Sequence, residues 1–311
     1  MSTAINDVEA TVAKQESLSS SAHKALTSPW ASLAAIVIAV LWTIPTVGLF
    51  ITSFRTEDDI NSSGWWTVFS GLFSGELPDF TLSNYDTVLN GSDTNFGTYL
   101  INSFVITIPA VLIPISIATM AAYAFAWMKF PGRNFLFVAI FALQIVPIQV
   151  TMIPLLTTYV DAGLSGPDAP GGGFYTIWLS HSIFALPLAV YLLHNFMSQI
   201  PGELIESARV DGAGHVQIFS RIMLPLMAPA IAAFGIFQFL WVWNDLLVAI
   251  VFGNTDTYPI TARLAELAGS RGQDWFLLSA GAFVALVVPL IVFLSLQRFF
   301  VRGLLAGSVK G

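Results

Sequence analysis

Apolar residues along the chain are grouped into six long blocks, separated by shorter polar stretches. A helix needs roughly 20 predominantly apolar residues to cross the hydrocarbon core of a bilayer, and each block reaches about that length. The pattern therefore predicts an all-α integral membrane protein with six transmembrane helices. The predicted spans are residues 31–53, 99–126, 135–159, 175–196, 228–252 and 275–299.

Prolines lie inside or near the ends of several predicted spans, at Pro109, Pro114, Pro147, Pro154, Pro187 and Pro289. A proline within a helix removes a backbone donor and disturbs the preceding turn. Inside a bilayer, the freed backbone group must find a partner in a neighbouring helix or in a cavity. Spans two to four are therefore expected to lie inside the bundle or to line a pathway.

The composition agrees with a membrane protein and excludes several other classes. The chain has 311 residues, of which 55% are hydrophobic and 10% are charged, whereas a soluble domain carries about a quarter charged residues. The absence of cysteine excludes disulfides, thiol catalysis and cysteine-ligated metals. The net charge of −7 gives no support to nucleic-acid binding.

Charges in the loops predict the orientation, because basic residues favour the cytoplasmic side. Lys129 and Arg133 lie between spans two and three, and Arg302 and Lys310 follow span six. The loop over 55–98 is mostly acidic, so we place it outside and both termini inside. The expected organisation is a disordered cytoplasmic tail over 1–29, a transmembrane domain over 30–311 and, within it, a C-terminal tail over 300–311.

The outer loop over 55–98 is rich in aromatic residues, including Trp65 and Trp66. Two interpretations fit this pattern equally. The aromatics belong either to a folded element near the membrane surface or to a belt at the membrane interface.

A polar stretch between spans four and five, ESARVDGAGHVQIFSRIMLPL, begins at Glu206. Pro201 and the glutamates after it suit the start of a helix. Gly212 and Gly214 predict a sharp turn, and a second short helix is expected over 215–223. Two short amphipathic helices suit either a groove on another protein or the lipid surface, and their spacing does not decide between the two.

Polar and indole side chains interrupt three of the apolar blocks, at Gln144, Gln149, His181, Gln238, Trp241, Asn244 and Asp245. On a helix, Gln238, Trp241 and Asp245 share one side. An ionisable residue within an apolar span is a functional-site hypothesis by default. A regular helix would not bring the two glutamines of span three to one face.

A proline between those two glutamines, Pro147, is a candidate bend. Sugars need hydrogen-bond partners and flat aromatic faces, and the interrupting side chains offer both. Any one of these residues is explained as well by hydrogen bonds between helices. The set as a whole favours a polar cavity.

Three groups of residues carry a resemblance to a known family: Glu206–Ser207–Ala208, Asp211–Gly212–Ala213 and Ile222–Met223–Leu224–Pro225. Their order and spacing resemble the EAA loop of ABC-importer permeases, which reads Glu-Ala-Ala, then Asp-Gly-Ala, then Ile-x-Leu-Pro. Ser207 in place of the middle alanine is the only departure. The loop precedes the fifth of six spans, as it does in that family.

Other segments resemble the carbohydrate branch, specifically the six-span second permease of maltose-type importers. They are residues 82–85 ahead of span two, Asn102 and Ser103 near its start, residues 243–245 in span five, and the chain ending over 299–311. The resemblance covers nearly everything after residue 30.

The resemblance implies a type I ABC importer permease fold, in which a coupling loop over 198–227 sits in a cleft of a cytoplasmic ATPase. Glu206 would pair with a basic residue of the ATPase, and Gly212 would permit the turn and a close approach of backbones. A socket of the ATPase would receive Phe219, Ile222 and Leu224. The other positions of the motif are Ala208, Asp211, Ala213 and Pro225.

The resemblance also implies the partners. They are a second permease subunit in a heterodimer, two copies of the ATPase, an extracytoplasmic sugar-binding protein or lipoprotein, and the lipid of the bacterial cytoplasmic membrane. The chain would bind no cofactor, and ATP and Mg²⁺ would be used by the ATPase. The expected solute is maltose or maltodextrin, trehalose or another α-glucoside.

Three alternatives compete with this interpretation. An intramembrane enzyme would need a catalytic or metal-binding cluster, but the four histidines are scattered and no nucleotide-binding signature is present. An ATPase-independent carrier or channel would not need an EAA loop. The third alternative is an ABC importer for another solute, such as an amino acid, polyamine or phosphate. The C-terminal tail and the segment Trp243–Asn244–Asp245 favour a sugar.

Overall fold

The computed structural model describes residues 29–74, 79–91, 96–166, 169–269 and 274–308. The chain divides after Thr81 into two units. Apart from Pro29, the predicted N-terminal tail lies outside the described residues, as do residues 309–311 of the predicted C-terminal tail. The described part of that tail continues the last helix to Ser308.

The first unit contains helices α1 (Pro29–Ser53), α2 (Glu57–Ser62) and α3 (Thr67–Ser74). Arg55 follows α1 and is buried, and its guanidinium donates to the carbonyl oxygens of Asp59 and Ser63 at 2.8 and 3.0 Å. Trp65 packs so closely on Gly48 that a Cβ there would stand 2.7 Å from the indole ring. Trp65 therefore belongs to a folded element, while Trp66 is 64% exposed.

The second unit is helical throughout its main elements. In chain order they are α4 (Ser83–Asn90), α5 (Phe96–Trp127), α6 (Arg133–Ala142), α7 (Ile148–Asp161), α8 (Phe174–Met197), α9 (Gly202–Val210), α10 (His215–Ile218), α11 (Leu224–Trp243), α12 (Leu247–Phe252), α13 (Ile260–Ala268) and α14 (Trp275–Ser308).

Five helices of the described chain are long and apolar enough to cross a membrane, and a bent pair makes a sixth crossing if it counts as one span. The five crossings lie over Pro29–Ser53, Phe96–Trp127, Pro170–Met197, His215–Trp243 and Trp275–Gln297. This agrees with the predicted all-α membrane fold of six spans.

The third predicted span, over 135–159, is not one helix. The chain from Arg133 runs through a 3₁₀ turn at Leu143–Ile145 and meets Ile148–Asp161 at an angle of 104°. Val146 and Pro147 between them are extended. Pro147 provides no N–H and restricts the residue before it to extended conformations, so the helix ends here. Helices continue through the other five prolines, and only Pro147 marks a break.

The fifth predicted span also differs from the structure at both ends. No loop separates the second short helix from the span, because α10 passes through a π-helical turn at Phe219–Met223 directly into α11. Pro225 lacks the N–H that would bond the carbonyl four residues earlier in a regular α-helix, which accounts for the π-helical turn. At the other end the helix stops at Trp243 and resumes at Leu247, so the predicted span over 228–252 is broken at Asn244.

The second unit contains three clusters of buried apolar side chains. One joins α5, α8, α9 and α11 and includes Tyr123, Leu193 and Ile205. A second joins α5, α7, α8 and α12. The third joins α4, α5, α13 and α14. Helix α5 contributes to all three, so it is the central element of this unit.

We predict that Gly281→Ala on α14 lowers thermal stability. A Cβ at Gly281 would stand 2.5 Å from the ring of Phe96 and 3.2 Å from Leu264. Phe96 is 1% exposed and has little room to move. Overpacking of this kind costs about 1–3 kcal/mol, which we expect as a lower melting temperature of the purified protein.

The matched control is Gly97→Ala. The nearest atom to its added Cβ is the Leu89 carbonyl oxygen at 3.8 Å, an ordinary contact. Replacing a helical glycine that has room by alanine stabilises by about 0.5–1 kcal/mol. Equal melting temperatures for the two variants would contradict the packing described for Phe96.

Candidate functional site

The segment over 198–227, here called the coupling segment, forms two helices around a tight turn. Helix α9 ends at Val210, and Gly212 has a φ of +83°, in the left-handed region that favours glycine. The Ala213 N–H bonds the Ala208 carbonyl at 2.9 Å, and the Gly212 N–H bonds the Arg209 carbonyl at 3.0 Å. These two bonds form a Schellman motif, so the glycine predicted to make the turn does make it.

No other atom of the described chain lies within 4 Å of the place where a Cβ of Gly212 would stand. The close approach of backbones that we expected at this glycine is therefore not an approach within this chain. Any such approach belongs to a contact with another molecule.

One face of the coupling segment is part of the protein core. Ile205, Ile218 and Met223 are at most 1% exposed, and Ala208 is 9% exposed. They pack in the cluster that includes Leu193 of α8. The segment is therefore packed into the helix bundle through this buried face.

The opposite face is exposed. Val210 is 87% exposed and Val216 is 80% exposed, on either side of the turn. Glu206, Asp211, Gly212 and Pro225 are exposed as well. Arg209 and Arg221 add positive charge, so this face presents two valines among charges of both signs.

Three residues expected in a partner's socket have a different environment. Phe219 is half-buried, and its ring lies 5.3 Å from that of Tyr123 in an edge-to-face contact. Ile222 and Ala213 also pack against the core cluster, and Leu224 is half-buried. In the structure Phe219 and Ile222 hold the segment on its own bundle, because they lie on the same face as Ile218 and Met223.

A cavity of about 290 Å³ brings together five of the seven predicted pathway residues: Gln144, Gln149, His181, Gln238 and Trp241. Phe184 and Phe237 also line it. The lining thus combines amide groups, an imidazole and aromatic faces, and it contains no Asp, Glu, Lys or Arg. Such a surface suits an uncharged ligand with many hydroxyl groups.

The bend at Pro147 explains how two glutamines five residues apart reach one cavity. Gln144 lies in the 3₁₀ turn before the bend and Gln149 lies in the first turn of α7 after it. Both line the same cavity. The broken span is therefore a feature of the site, as expected where irregular backbone borders a cavity in a membrane.

Gln238 and Trp241, two of the cavity residues on α11, have different roles. Gln238 is 4% exposed, and its Nε2 donates to the Ala110 carbonyl of α5 at 3.3 Å. Trp241 is 55% exposed, and its ring lies 5.9 Å from that of Phe237. Gln238 thus also joins α11 to α5, and this is the hydrogen bonding between helices that the sequence left open as an alternative. Trp241 has an exposed indole ring.

His181 and Asp245 form a pair at the edge of the cavity. His181 is 2% exposed, and its Nε2 lies 3.8 Å from Asp245 Oδ2 and has no hydrogen-bond partner in the described chain. Asp245 Oδ2 accepts the N–H of Ala249 at 3.2 Å. Asp245 therefore caps the N-terminus of α12. It does not line the cavity.

Asn244 is also outside the cavity lining. It is exposed, and its amide donates to the Leu240 carbonyl at 2.8 Å. Trp243 beside it is buried, and its Nε1 donates to the Ala285 carbonyl at 3.1 Å. Asn244 and Trp243 therefore stabilise the chain at the break in span five through these hydrogen bonds.

Two aromatic residues of the cavity, Phe184 and Phe237, were not among the predicted pathway residues. A signal for them was present, since Phe184 is three residues after His181 and Phe237 is four residues before Trp241. Such neighbours share a helix face. Among the described residues, no group of three or more His, Asp or Glu side chains could hold a metal ion.

Comparison with known proteins places this geometry in a family. The chain is 52% identical, over 89% of its length and 91% of the other protein, to the osmoprotective compounds uptake permease protein GgtD of Synechocystis. It is 40% identical, over 91% of its length and 97% of the other, to the alpha-glucoside transport system permease protein AglG of Rhizobium meliloti.

The fold is similar to that of a solved bacterial ABC transporter that imports the acidic polysaccharide alginate. The TM-score is 0.67 at 21% identity, covering 88% of this chain and 98% of that one. The model of the family "Binding-protein-dependent transport system inner membrane component" matches residues 113–305, a range that contains both the coupling segment and the whole cavity lining. The chain belongs to the family of inner membrane components of binding-protein-dependent transport systems.

Proposed function

We propose that the chain is a permease subunit of an ATP-driven ABC importer for a sugar, and that its coupling segment links ATPase closure to alternating access. The observation that carries this proposal is the two-sided coupling segment. One face is buried among the spans, and the other is exposed with two valines and mixed charges. That arrangement suits a docking site for another protein, in which a helix lies in a groove of the partner.

The coupling mechanism follows from the rigidity of this connection. Closure of two ATPase subunits around ATP brings their docking clefts together, and each cleft carries its coupling segment with it. Because Ile205, Ile218 and Met223 are core residues, the segment cannot separate from the bundle, and a displacement of the segment acts on the helices around it. Glu206, which is exposed on the outer face, pairs with a basic residue of the ATPase in this proposal.

The solute proposal rests on the cavity and on the relatives. Amides and aromatic faces without a charged lining residue suit a sugar ring. The relative at 40% identity is named for alpha-glucosides, and the one at 52% identity is named for osmoprotective compounds. Within this class our candidates are maltose or maltodextrin, trehalose or another α-glucoside.

The proposed assembly contains this chain, a second permease subunit, two copies of a cytoplasmic ABC ATPase and an extracytoplasmic solute-binding protein or lipoprotein. The ATPase copies use ATP and Mg²⁺. The chain spans the cytoplasmic membrane several times, with both termini in the cytoplasm. Of the two basic residues that support this orientation, Lys129 is exposed and Arg133 is half-buried.

We predict that Gly212→Asp uncouples ATP hydrolysis from uptake. The residue lies on the exposed turn, and apart from its chain neighbours no described atom of this chain lies within 4 Å of the added Cβ, so the new carboxylate faces the ATPase in this proposal. The variant should be found in the membrane with its partners and hydrolyse ATP, with solute uptake per ATP reduced at least tenfold. Uptake into vesicles and phosphate release, measured together, test this.

The matched control is Gly132→Asp. Gly132 also has a positive φ, 78°, and also has no atom within 4 Å of its added Cβ. Both variants therefore bear the same backbone strain and the same new charge, and they differ in location. Equal uptake per ATP in the two variants would count against docking at the coupling segment.

We also predict that Trp241→Leu raises the KM for sugar uptake about tenfold, equivalent to ~1.4 kcal/mol, because it removes the exposed indole face of the cavity. Radiolabelled maltose and trehalose are the probes, and glycine betaine is the competitor for a non-sugar solute. Trp275→Leu is the control, since Trp275 is 56% exposed and does not line the cavity.

The outcomes separate the alternatives. Sugar uptake that requires ATP and has a raised KM only in Trp241→Leu supports the proposal. Uptake of glycine betaine without sugar uptake would assign a non-sugar solute. Uptake that persists without the ATPase would assign an independent carrier.

A further inference from the structure

One hydrogen bond ties the coupling segment to the central helix of the second unit. Tyr123 Oη of α5 lies 2.9 Å from His215 Nδ1, at the start of α10. The Tyr123 ring also makes edge-to-face contacts with His215 at 5.9 Å and with Phe219 at 5.3 Å. Tyr123 is 5% exposed, so its hydroxyl reaches the segment from inside the core.

Within the described chain, this is the only side-chain hydrogen bond between residues 202–223 and another helix. Much of the remaining packing of the segment on the bundle is apolar, through residues such as Ile205, Ile218 and Met223. Apolar contacts are non-directional, so they resist separation better than they resist rotation or sliding. A hydrogen bond depends on distance and angle, and it fixes the register of α10 against α5.

The tie is independent of the protonation state of His215. An unprotonated Nδ1 accepts a hydrogen bond that the tyrosine O–H donates, and a protonated Nδ1 donates a hydrogen bond to the tyrosine oxygen. The bond therefore suits a permanent mechanical connection.

Helix α5 makes further hydrogen bonds to other elements toward its N-terminal end. The Ala110 carbonyl accepts from Gln238 of the cavity at 3.3 Å. The Val105 carbonyl accepts from Trp178 Nε1 at 2.8 Å. The Asn102 amide donates to the carbonyls of Asp256 and Tyr258 at 2.8 and 3.1 Å, in the loop between α12 and α13.

Through these hydrogen bonds, the coupling segment, the cavity residue Gln238 and the loop between α12 and α13 are all connected to α5. From Tyr123 to Ala110 the helix rises about 20 Å, at about 1.5 Å per residue. A displacement applied at Tyr123 therefore reaches Ala110 through continuous helix, and the hydrogen bond at Ala110 connects α5 to the cavity residue Gln238. Pro109 and Pro114 leave this helix unbroken.

We propose that the Tyr123–His215 hydrogen bond is the positioning contact through which the coupling segment moves α5 and thereby opens and closes the cavity. This inference rests on the proposed function. It assigns to Tyr123 and His215 a role in transmission, separate from docking to the ATPase and from solute contact.

The absence of cysteine from the chain makes a solute-independent experiment available. Gln149→Cys places a single thiol in the cavity lining, at an exposed position. In the assembled transporter in nanodiscs, the labelling rate of this thiol by a small methanethiosulfonate is measured without nucleotide and after trapping with Mg²⁺, ATP and vanadate. The proposed function predicts a rate change on trapping.

In this background we expect Tyr123→Phe and His215→Ala each to reduce the trapping-dependent rate change at least fivefold, while ATP hydrolysis and trapping persist. The double variant should lose no more than either single variant, because both remove one interaction. His215→Asn should restore most of the change, since an Asn amide can occupy the position of Nδ1. A merely structural role of the histidine would not produce this rescue.

The control is Tyr191→Phe, which also removes a tyrosine hydroxyl. Tyr191 belongs to another aromatic cluster, in which the centroids of the Tyr191 and Phe141 rings are 4.5 Å apart. It should keep the full rate change. A full change in Tyr123→Phe, or a loss that is equal in Tyr191→Phe, would overturn the inference alone. No rate change in the Gln149→Cys parent would overturn the proposed function, and the inference with it.

Discussion

Transmission of force from the cytoplasmic face to the spans depends on the burial of one face of the coupling segment. Ile205, Ile218 and Met223 are as inaccessible as any core residue of the spans, although the segment itself is too polar to cross a bilayer. A short helix pair that merely lay on lipid would not need these contacts. Because its inner face is part of the core, force applied to the outer face is delivered to the helices and is not lost in a mobile loop.

The cavity follows from a second constraint, which the bilayer imposes. Backbone groups within the membrane must be bonded inside the protein, so helix breaks there are expensive unless they border a cavity or find partners. Both breaks in the spans meet this condition. The bend at Pro147 lines the cavity, and the gap after Trp243 is held by Asp245, whose carboxylate caps the following turn and whose carbonyl accepts from Thr261 at 2.6 Å.

The membrane fold could be predicted from the sequence because long apolar blocks have few alternative structures. The turn at Gly212 was predictable for a similar reason, since a helix stop and a positive φ both favour glycine. The 104° bend could only be suspected, since helices pass through seven other prolines of the described chain without a break.

Which face of the coupling segment points inward was not readable from spacing alone. Phe219 and Ile222 are apolar, and apolar residues suit a partner's socket as well as the core. The π-helical turn at Phe219–Met223 also shifts the register between α10 and α11, which a regular helical pattern does not anticipate. The aromatic cavity residues Phe184 and Phe237 were hidden for a related reason, because 25 phenylalanines occur in the chain.

The most direct test of the central claim is photo-crosslinking from the outer face of the coupling segment in native membranes. A photoreactive amino acid at Val216, which is 80% exposed, should cross-link this chain to an ATP-hydrolysing subunit, while the same group at Val138, which is 63% exposed on α6, should not. Cross-links from position 216 to lipid or to this chain alone would contradict the account.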